Sequence, residues 1–315
     1  MQSNISISSF KWEDTNDVIE FLNKVGNLKN TEKEISKEFF TLYHKLPGSN
    51  PLADSFLAKR NDNKIIGFMH LIYEEKISRI VAITNISNTS QAYEIFTKFM
   101  DIAQDFATSN KATVLHTQIK SDSTILDYIN KDWIQVKEYW DLKCDREKGL
   151  SKLKKFNSPR PFSSISDNYI SEPLDLNTGI KDLTSIQNIS FENHWGFCPN
   201  TEEEIKGRIE ITNPNQEGVL LIKDQDNIAG YNWTIFVNRN GHSGGWISMT
   251  GVSPKYRGLG LGRSIVMTGM QYLFDKGADY VELEVDSSNL PAVNLYKSLG
   301  FTKRSETVWL EKTKF

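Results

Sequence analysis

The sequence predicts an α/β chain built from one unit used twice. Strand-like and helix-like segments follow each other in the same order in both halves. A charged and then Ser- and Pro-rich stretch, DREKGLSKLKKFNSPRPFSSISDN (145–168), separates the halves. The length of 315 residues is long for one core but ordinary for two domains of roughly 150 residues each. These observations set a first domain at 1–150, a linker at 151–168 and a second domain at 169–315.

In the first half KIIGFMHLIYE and SRIVAITNI read as strands. TSQAYEIFTKFMDIAQDFATSN reads as a helix with Phe96, Phe99, Met100, Ala103 and Phe106 on one face. TVLHTQI is a further strand, followed by STILDYINKDW and the strand-like VKEYWDLKC. The second half repeats the scheme. VLLIKDQDNIAGYNWTIFV (219–237) reads as a hairpin around a polar turn, and GGWISMTGV as a strand ending at Ser253-Pro254. A helix carrying Leu261, Ile265, Val266, Leu273 and Phe274 stops at Gly277. YVELEV (280–285) is a strand, SSNLPAVNLYKSLGF a short helix with Pro291 near its start and Gly300 past its end, and TVWLEK the last strand. LDYINKDW falls where NLYKSLGF falls, with Tyr128 opposite Tyr296 and Trp133 opposite Phe301, as expected of a tandem duplication.

Composition narrows the classes of function. A net charge of −3 argues against a dedicated nucleic-acid binder. The N-terminus, MQSNISISSFKWED, lacks a basic segment followed by an apolar one, so no signal peptide is expected. No stretch approaches the roughly 18 apolar residues of a membrane span, and a cytoplasmic protein is the expectation. Cys144 and Cys198 fit no metal or redox spacing, and no His/Cys cluster suggests a metal.

The halves diverge at one place. VSPKYRGLGLGRSI (252–265) sets Gly258, Gly260 and Gly262 at alternate positions ahead of a helix. Between Gly67 and Gly149 the first half has no glycine, and its counterpart NISNTSQAYE keeps the strand-to-helix turn without the glycines or the arginine. A helix N-terminus exposes unpaired N–H groups at the positive end of its dipole, and glycines let an anion approach them closely. The stretch departs from the dinucleotide pattern G-x-G-x-x-G and lacks the Lys-Ser/Thr of a Walker loop. A nucleotide-phosphate enzyme is thereby disfavoured.

Residues 246–304 hold, in order, a strand, V-x-P-x-Y-R-G-x-G-x-G, a helix, L-E-V, Asn289 and A-x-x-L-Y-x-x-L-G-F. In this the chain resembles the Gcn5-related N-acetyltransferase superfamily. Its tandem layout with a degenerate first half, and the segment His194-Trp195-Gly196, resemble mycothiol synthase and its relatives. The resemblance implies two domains, each a mixed, mostly antiparallel sheet flanked by helices. It further implies acetyl-CoA as co-substrate and an amine acceptor, a small molecule or a peptide N-terminus, attacked directly without a covalent enzyme intermediate. The backbone around Thr250 and Val252 would meet the pantetheine and acetyl carbonyl. The amides of Arg257, Gly258, Leu259, Gly260, Leu261, Gly262 and Arg263 would take the pyrophosphate, and Asn289 would touch the pantetheine arm. Strand 280–285 would diverge from strand 246–252 to open the thioester cleft.

Tyr296 corresponds to the tyrosine that protonates the departing sulfur in this superfamily. It also shares an apolar helix face with Ala292, Leu295 and Leu299. Glu284, in L-E-V, resembles the base of the ribosomal-protein alanine acetyltransferases, and strand alternation puts it on the face of Glu282. In mycothiol synthase a glutamate on the preceding strand serves as base; here GGWISMTGV has Trp246 near that point, so that base does not carry over. His194 and Trp195 are placed on the acceptor side, with His194 a base or hydrogen-bonding group. A non-catalytic acyl-CoA sensor or scaffold is the alternative.

Overall fold

The computed structural model describes residues 5–28, 35–121, 123, 125–126, 132–159, 161, 163–166, 168–213, 217–239 and 242–315. In chain order the strands and helices are β1 (Ile5–Ser9), α1 (Thr15–Leu28), α2 (Lys37–Tyr43), α3 (Pro51–Asp54), β2 (Ser55–Arg60), β3 (Ile65–Glu74), β4 (Arg79–Ile86), α4 (Ala92–Ser109), β5 (Val114–Lys120), β6 (Ile134–Asp145) and α5 (Arg146–Lys155). They continue as β7 (Ser164–Ser166), β8 (Tyr169–Pro173), α6 (Ile180–Phe191), α7 (Glu202–Thr212), β9 (Val219–Asp224), β10 (Asn227–Arg239), β11 (His242–Val252), α8 (Leu261–Asp275), β12 (Tyr280–Asp286), α9 (Leu290–Ser298) and β13 (Thr302–Lys312). Of the pairing between LDYINKDW and NLYKSLGF, Tyr128 lies outside the described residues. No helix among the described residues is long and apolar enough to cross a membrane.

The chain forms two compact units, Met1–Tyr139 with Glu306–Phe315, and Trp140–Ser305. In the first unit β1 to β5 lie side by side in chain order, with β4 and β5 parallel and the others antiparallel. Residues Thr307–Lys312 of β13 pair antiparallel with β5. Helix α4 covers one face through Ile95, Phe96, Phe99 and Met100, which pack with Met69, Leu71, Ile80 and Leu115. On the other face Val18 and Phe21 of α1 and Phe40 of α2 pack on Leu57 and Phe68.

In the second unit the order is β12-β11-β10-β9-β8-β7, with β11 and β12 parallel and the rest antiparallel. Helices α6 and α7 bring Ile186, Ile205 and Ile209 to one face, against Val219, Leu221, Tyr231, Trp233 and Met249. Helix α8 packs on the other, its Val266, Met270 and Leu273 meeting Leu220, Ile247, Val281 and Leu283. Gly230 makes this approach close: a Cβ there would stand 2.6 Å from Ile265 Cδ1.

Helix α5 occupies the start of the charged stretch 145–168, ahead of its Ser- and Pro-rich part. It lies antiparallel to α8. Arg146 Nη1 donates to the carbonyls of Phe274 (2.7 Å) and Ala278 (2.8 Å) at the end of α8, while Phe156 meets Arg263 at its beginning.

Candidate active site

The site starts from a break in regularity on β11. Its register with β10 runs Trp233↔Met249 and then Thr234↔Ile247, so Ser248 is an extra residue in the ladder. One extra residue reverses which side chains point to which face. Ile247 packs among the α8 residues and Met249 among the α6 residues, although plain alternation would put them on one face. Val252 consequently turns to the α8 side and packs with Leu261 and Ile265. At the same place the parallel partner departs: pairing with β12 runs from Gly244↔Tyr280 to Ile247↔Leu283 and ends there. Ser248–Val252 and Glu284–Asp286, which are not paired with each other, therefore border an opening between two parallel strands, the divergence the family resemblance implied.

Beyond β11 the chain turns through Pro254–Leu261 into α8. Gly258 and Gly260 both have φ of +81°, the left-handed region that side chains other than Gly, Asn and Asp seldom enter. A Cβ at either would meet nothing within 4 Å, so the fold needs these glycines for their backbone angles. Gly262 is different. Its φ is ordinary, and a Cβ would come no closer than 3.9 Å to Leu295 Cδ2 and Val252 Cγ2. The protein itself has room for a side chain at 262. Arg257 N–H donates to Pro254 O (3.3 Å) and Arg263 N–H to Gly260 O (3.2 Å), while the N–H groups of Gly258, Leu259, Gly260, Leu261 and Gly262 have no acceptor among the described residues. Five donors at the positive end of a 15-residue helix make an anion cradle.

The Arg257 side chain is turned away from that cradle. Its Nη2 donates to Ser190 O (2.9 Å) in the last turn of α6, and its Nε to Val252 O (3.3 Å). The guanidinium thus fastens the loop to the end of β11 and to α6. Of the seven amides from 257 to 263, those of Arg257 and Arg263 are bonded within the turn and those of 258–262 are not. The Arg263 guanidinium lies 4.5 Å over the Phe156 ring. Thr250 Oγ1 donates to Tyr231 O (3.2 Å), and Leu259 stands 62% exposed at the loop tip.

Helix α9 brings in the next group. Asn289 is its N-cap, accepting from Ala292 N–H at 3.3 Å through Oδ1. The Tyr296 ring is buried in the core and meets Phe301 edge-on at 5.8 Å. Its hydroxyl makes no hydrogen bond among the described residues, yet it is not one of the enclosed unpartnered oxygens, as those of Tyr231 and Tyr256 are. Burial pushes the phenol up to about 12, which keeps it protonated.

Val281, Leu283 and Val285 are buried on the α8 side of β12, so Glu282 and Glu284 point to the opposite face. Glu282 is ion-paired with Arg304, and Glu284 is exposed. Tyr296 and Glu284 thus lie on opposite sides of the sheet. His194 follows the end of α6, exposed, with its ring 4.7 Å from that of Phe191; Trp195 beside it is half-buried. The structure brings β11, the 252–262 turn, α6 and α9 together through Arg257 and Gly262. Among the described residues no group of three or more His, Cys, Asp and Glu is placed to hold a metal ion.

Some of this was not predicted. The Ser248 bulge leaves no mark in GGWISMTGV, because it depends on β10. Phe156 had a signal, since an aromatic directly after the basic turn KLKK suits a helix end that packs.

Comparison with known proteins agrees with this geometry. Residues 180–301 match the acetyltransferase (GNAT) family. The chain is 35% identical over 117 residues to a mycothiol acetyltransferase of Arthrobacter sp. (strain FB24), covering 36% of each chain. It is 25% identical over 164 residues to that of Propionibacterium freudenreichii subsp. shermanii, covering 50% of this chain and 53% of the relative. The matched part thus spans about a third to a half of these relatives. Among solved structures, a GCN5-related N-acetyltransferase from Sphaerobacter thermophilus superposes with a TM-score of 0.73 at 15% identity, covering 99% of this chain and 96% of that one. A tandem GNAT protein from the clavulanic acid biosynthesis pathway gives 0.71 at 11% identity, covering 98% of both. Residues 180–301 therefore form a domain of the GNAT family, in a chain with the fold of a tandem GNAT-superfamily protein.

Proposed function

We propose that the second unit is an N-acetyltransferase that moves an acetyl group from acetyl-CoA to a primary amine, and that the first unit is its structural partner. The observation that carries this is the pairing of two features: parallel strands that part at Ile247↔Leu283, and five unbonded N–H groups at 258–262 directly behind them. The names of the curated relatives support acetyl transfer.

Each residue then has a task. The amides of 258–262 hold the pyrophosphate, and Gly262 lets it come close. Backbone around Thr250 and Val252, left unpaired by β12, faces the carbonyl and stabilises charge developing on its oxygen. The amine nitrogen attacks the thioester carbon, the C–S bond breaks, and Tyr296 gives its proton to the sulfur that leaves. Glu284 or His194 takes the proton from the amine.

Calorimetric titration of acetyl-CoA into the full chain tests this, followed by thiol release across a panel of small amines, polyamines and short peptides. One site per chain is expected, weakened in Gly262→Ala with no loss of thermal stability, together with thiol release on some of the amines. Two sites would overturn the silent first unit. Binding without thiol release on any acceptor would make the protein an acyl-CoA sensor.

A further inference from the structure

Helix α5 ends in a basic turn, Lys152, Lys154 and Lys155, and Phe156 follows it. Because α5 runs antiparallel to α8, this basic end lies beside the first turn of α8. Two cations meet on one ring there: Arg263 at 4.5 Å and Lys155 Nζ at 5.7 Å from the centroid of Phe156. The ring holds the Arg263 fork in one orientation before any ligand arrives. Like charges gathered at a surface repel each other, and an anion shared between them relieves that repulsion. The unbonded amides of 258–262 account for one anion, the pyrophosphate. The cations around Phe156 are side chains of a different kind, displaced onto α5, and suit a second.

We propose that Arg263, Lys155 and Phe156 form a subsite for a phosphomonoester, the 3′-phosphate of coenzyme A. This rests on the acetyl-CoA reading above. A phosphomonoester is close to doubly charged at neutral pH, with three acceptor oxygens that match an arginine fork and a lysine point charge. The subsite makes the protein discriminate between coenzymes by a phosphate far from the reacting thioester. It also gives the stretch after α5 a binding role.

The test compares acetyl-CoA with acetyl-3′-dephospho-CoA by calorimetry on the full chain. The wild type is expected to bind the dephospho form about tenfold or more weakly, the effect of losing a charge-assisted contact. The double variant Lys155→Gln, Phe156→Leu is expected to bring acetyl-CoA down to the dephospho level while leaving dephospho affinity as it was. Equal wild-type affinity for the two coenzymes overturns the subsite and leaves the acetyltransferase reading standing. An unchanged preference in a folded double variant overturns the assignment to these residues. Failure of both coenzymes to bind overturns the acetyl-CoA reading itself.

Discussion

The two units share their scaffold to the level of single contacts. Gly67 on β3 and Gly230 on β10 occupy the same place, each leaving room for an isoleucine of the covering helix: a Cβ would stand 2.9 Å from Ile95 Cγ2 in one and 2.6 Å from Ile265 Cδ1 in the other. Ser87 N–H donates to Ile66 O and Ser253 N–H to Ala229 O, both at 2.9 Å. Each unit also has a parallel pair whose ladder stops early, at Ala82↔Thr117 and at Ile247↔Leu283. They differ in what is added. The register of β3 with β4 runs unbroken from Gly67↔Ile86 to Glu74↔Arg79, whereas β11 has its extra residue at Ser248. The way from Ser87 to Ile95 is shorter than from Ser253 to Ile265 and holds no glycine. An open parallel pair is therefore part of the scaffold; the bulge and the glycine turn make one copy a candidate site.

The strongest way to break this comparison is Gly260→Asp. Left-handed backbone costs a residue with a Cβ about 1–2 kcal/mol, and the carboxylate would repel the phosphates, so a loss of about 100-fold or more in acetyl-CoA affinity is expected by calorimetry. Gly260→Asn tolerates the same angles without the charge and should keep most of the affinity. Ser90→Asp, in the corresponding turn of the first unit, should change nothing.

Tyr296→Phe comes next. Turnover should fall about 100-fold with little change in the KM for acetyl-CoA. With its phenol up at about 12, Tyr296 imposes no alkaline limit on the wild-type rate below that range. A variant with undiminished turnover would make Tyr296 a core residue like its neighbour Phe301.

A smaller effect belongs to the first unit alone. His44 packs at 4.7 Å against His70, which Asp54 and Ser55 hold, and burial lowers the His44 pKa to about 4. Between its ordinary value near 6.5 and 4 the unfolded chain binds a proton that the folded one does not. Stability is therefore full above about pH 6.5 and declines as pH falls, by roughly 2 kcal/mol at pH 5. Denaturant unfolding at pH 5 and 7.5 should show this loss in the first unit and its removal in a folded His44→Phe variant. The second unit has Trp233 bonded to Asn213 (2.8 Å) where the first has His70 and Asp54.

Much of this architecture is legible in the chain. Gly277 and Gly300 end their helices with φ of +97° and +98°, as their places after apolar periods imply. The glycine run marks the turn because left-handed backbone has few other solutions. What stays hidden depends on distant residues. Nothing near Arg257 tells that its side chain seeks Ser190 O instead of a phosphate, since that carbonyl comes from another helix. Leu283 and Val285 on the α8 side place Glu284 opposite Tyr296, but only once β12 is set against that helix.

The last strand has a consequence for how the molecule is made. Its residues Thr307–Lys312 extend the sheet of the first unit by pairing with β5, although they are synthesised long after it. Translation at roughly 5–20 residues per second keeps that edge of β5 waiting on the order of ten seconds or more, with its hydrogen-bonding groups exposed. Nascent chains halted before Thr307 should be the species that chaperones hold, and separate expression of the halves would leave one of them with an open seam.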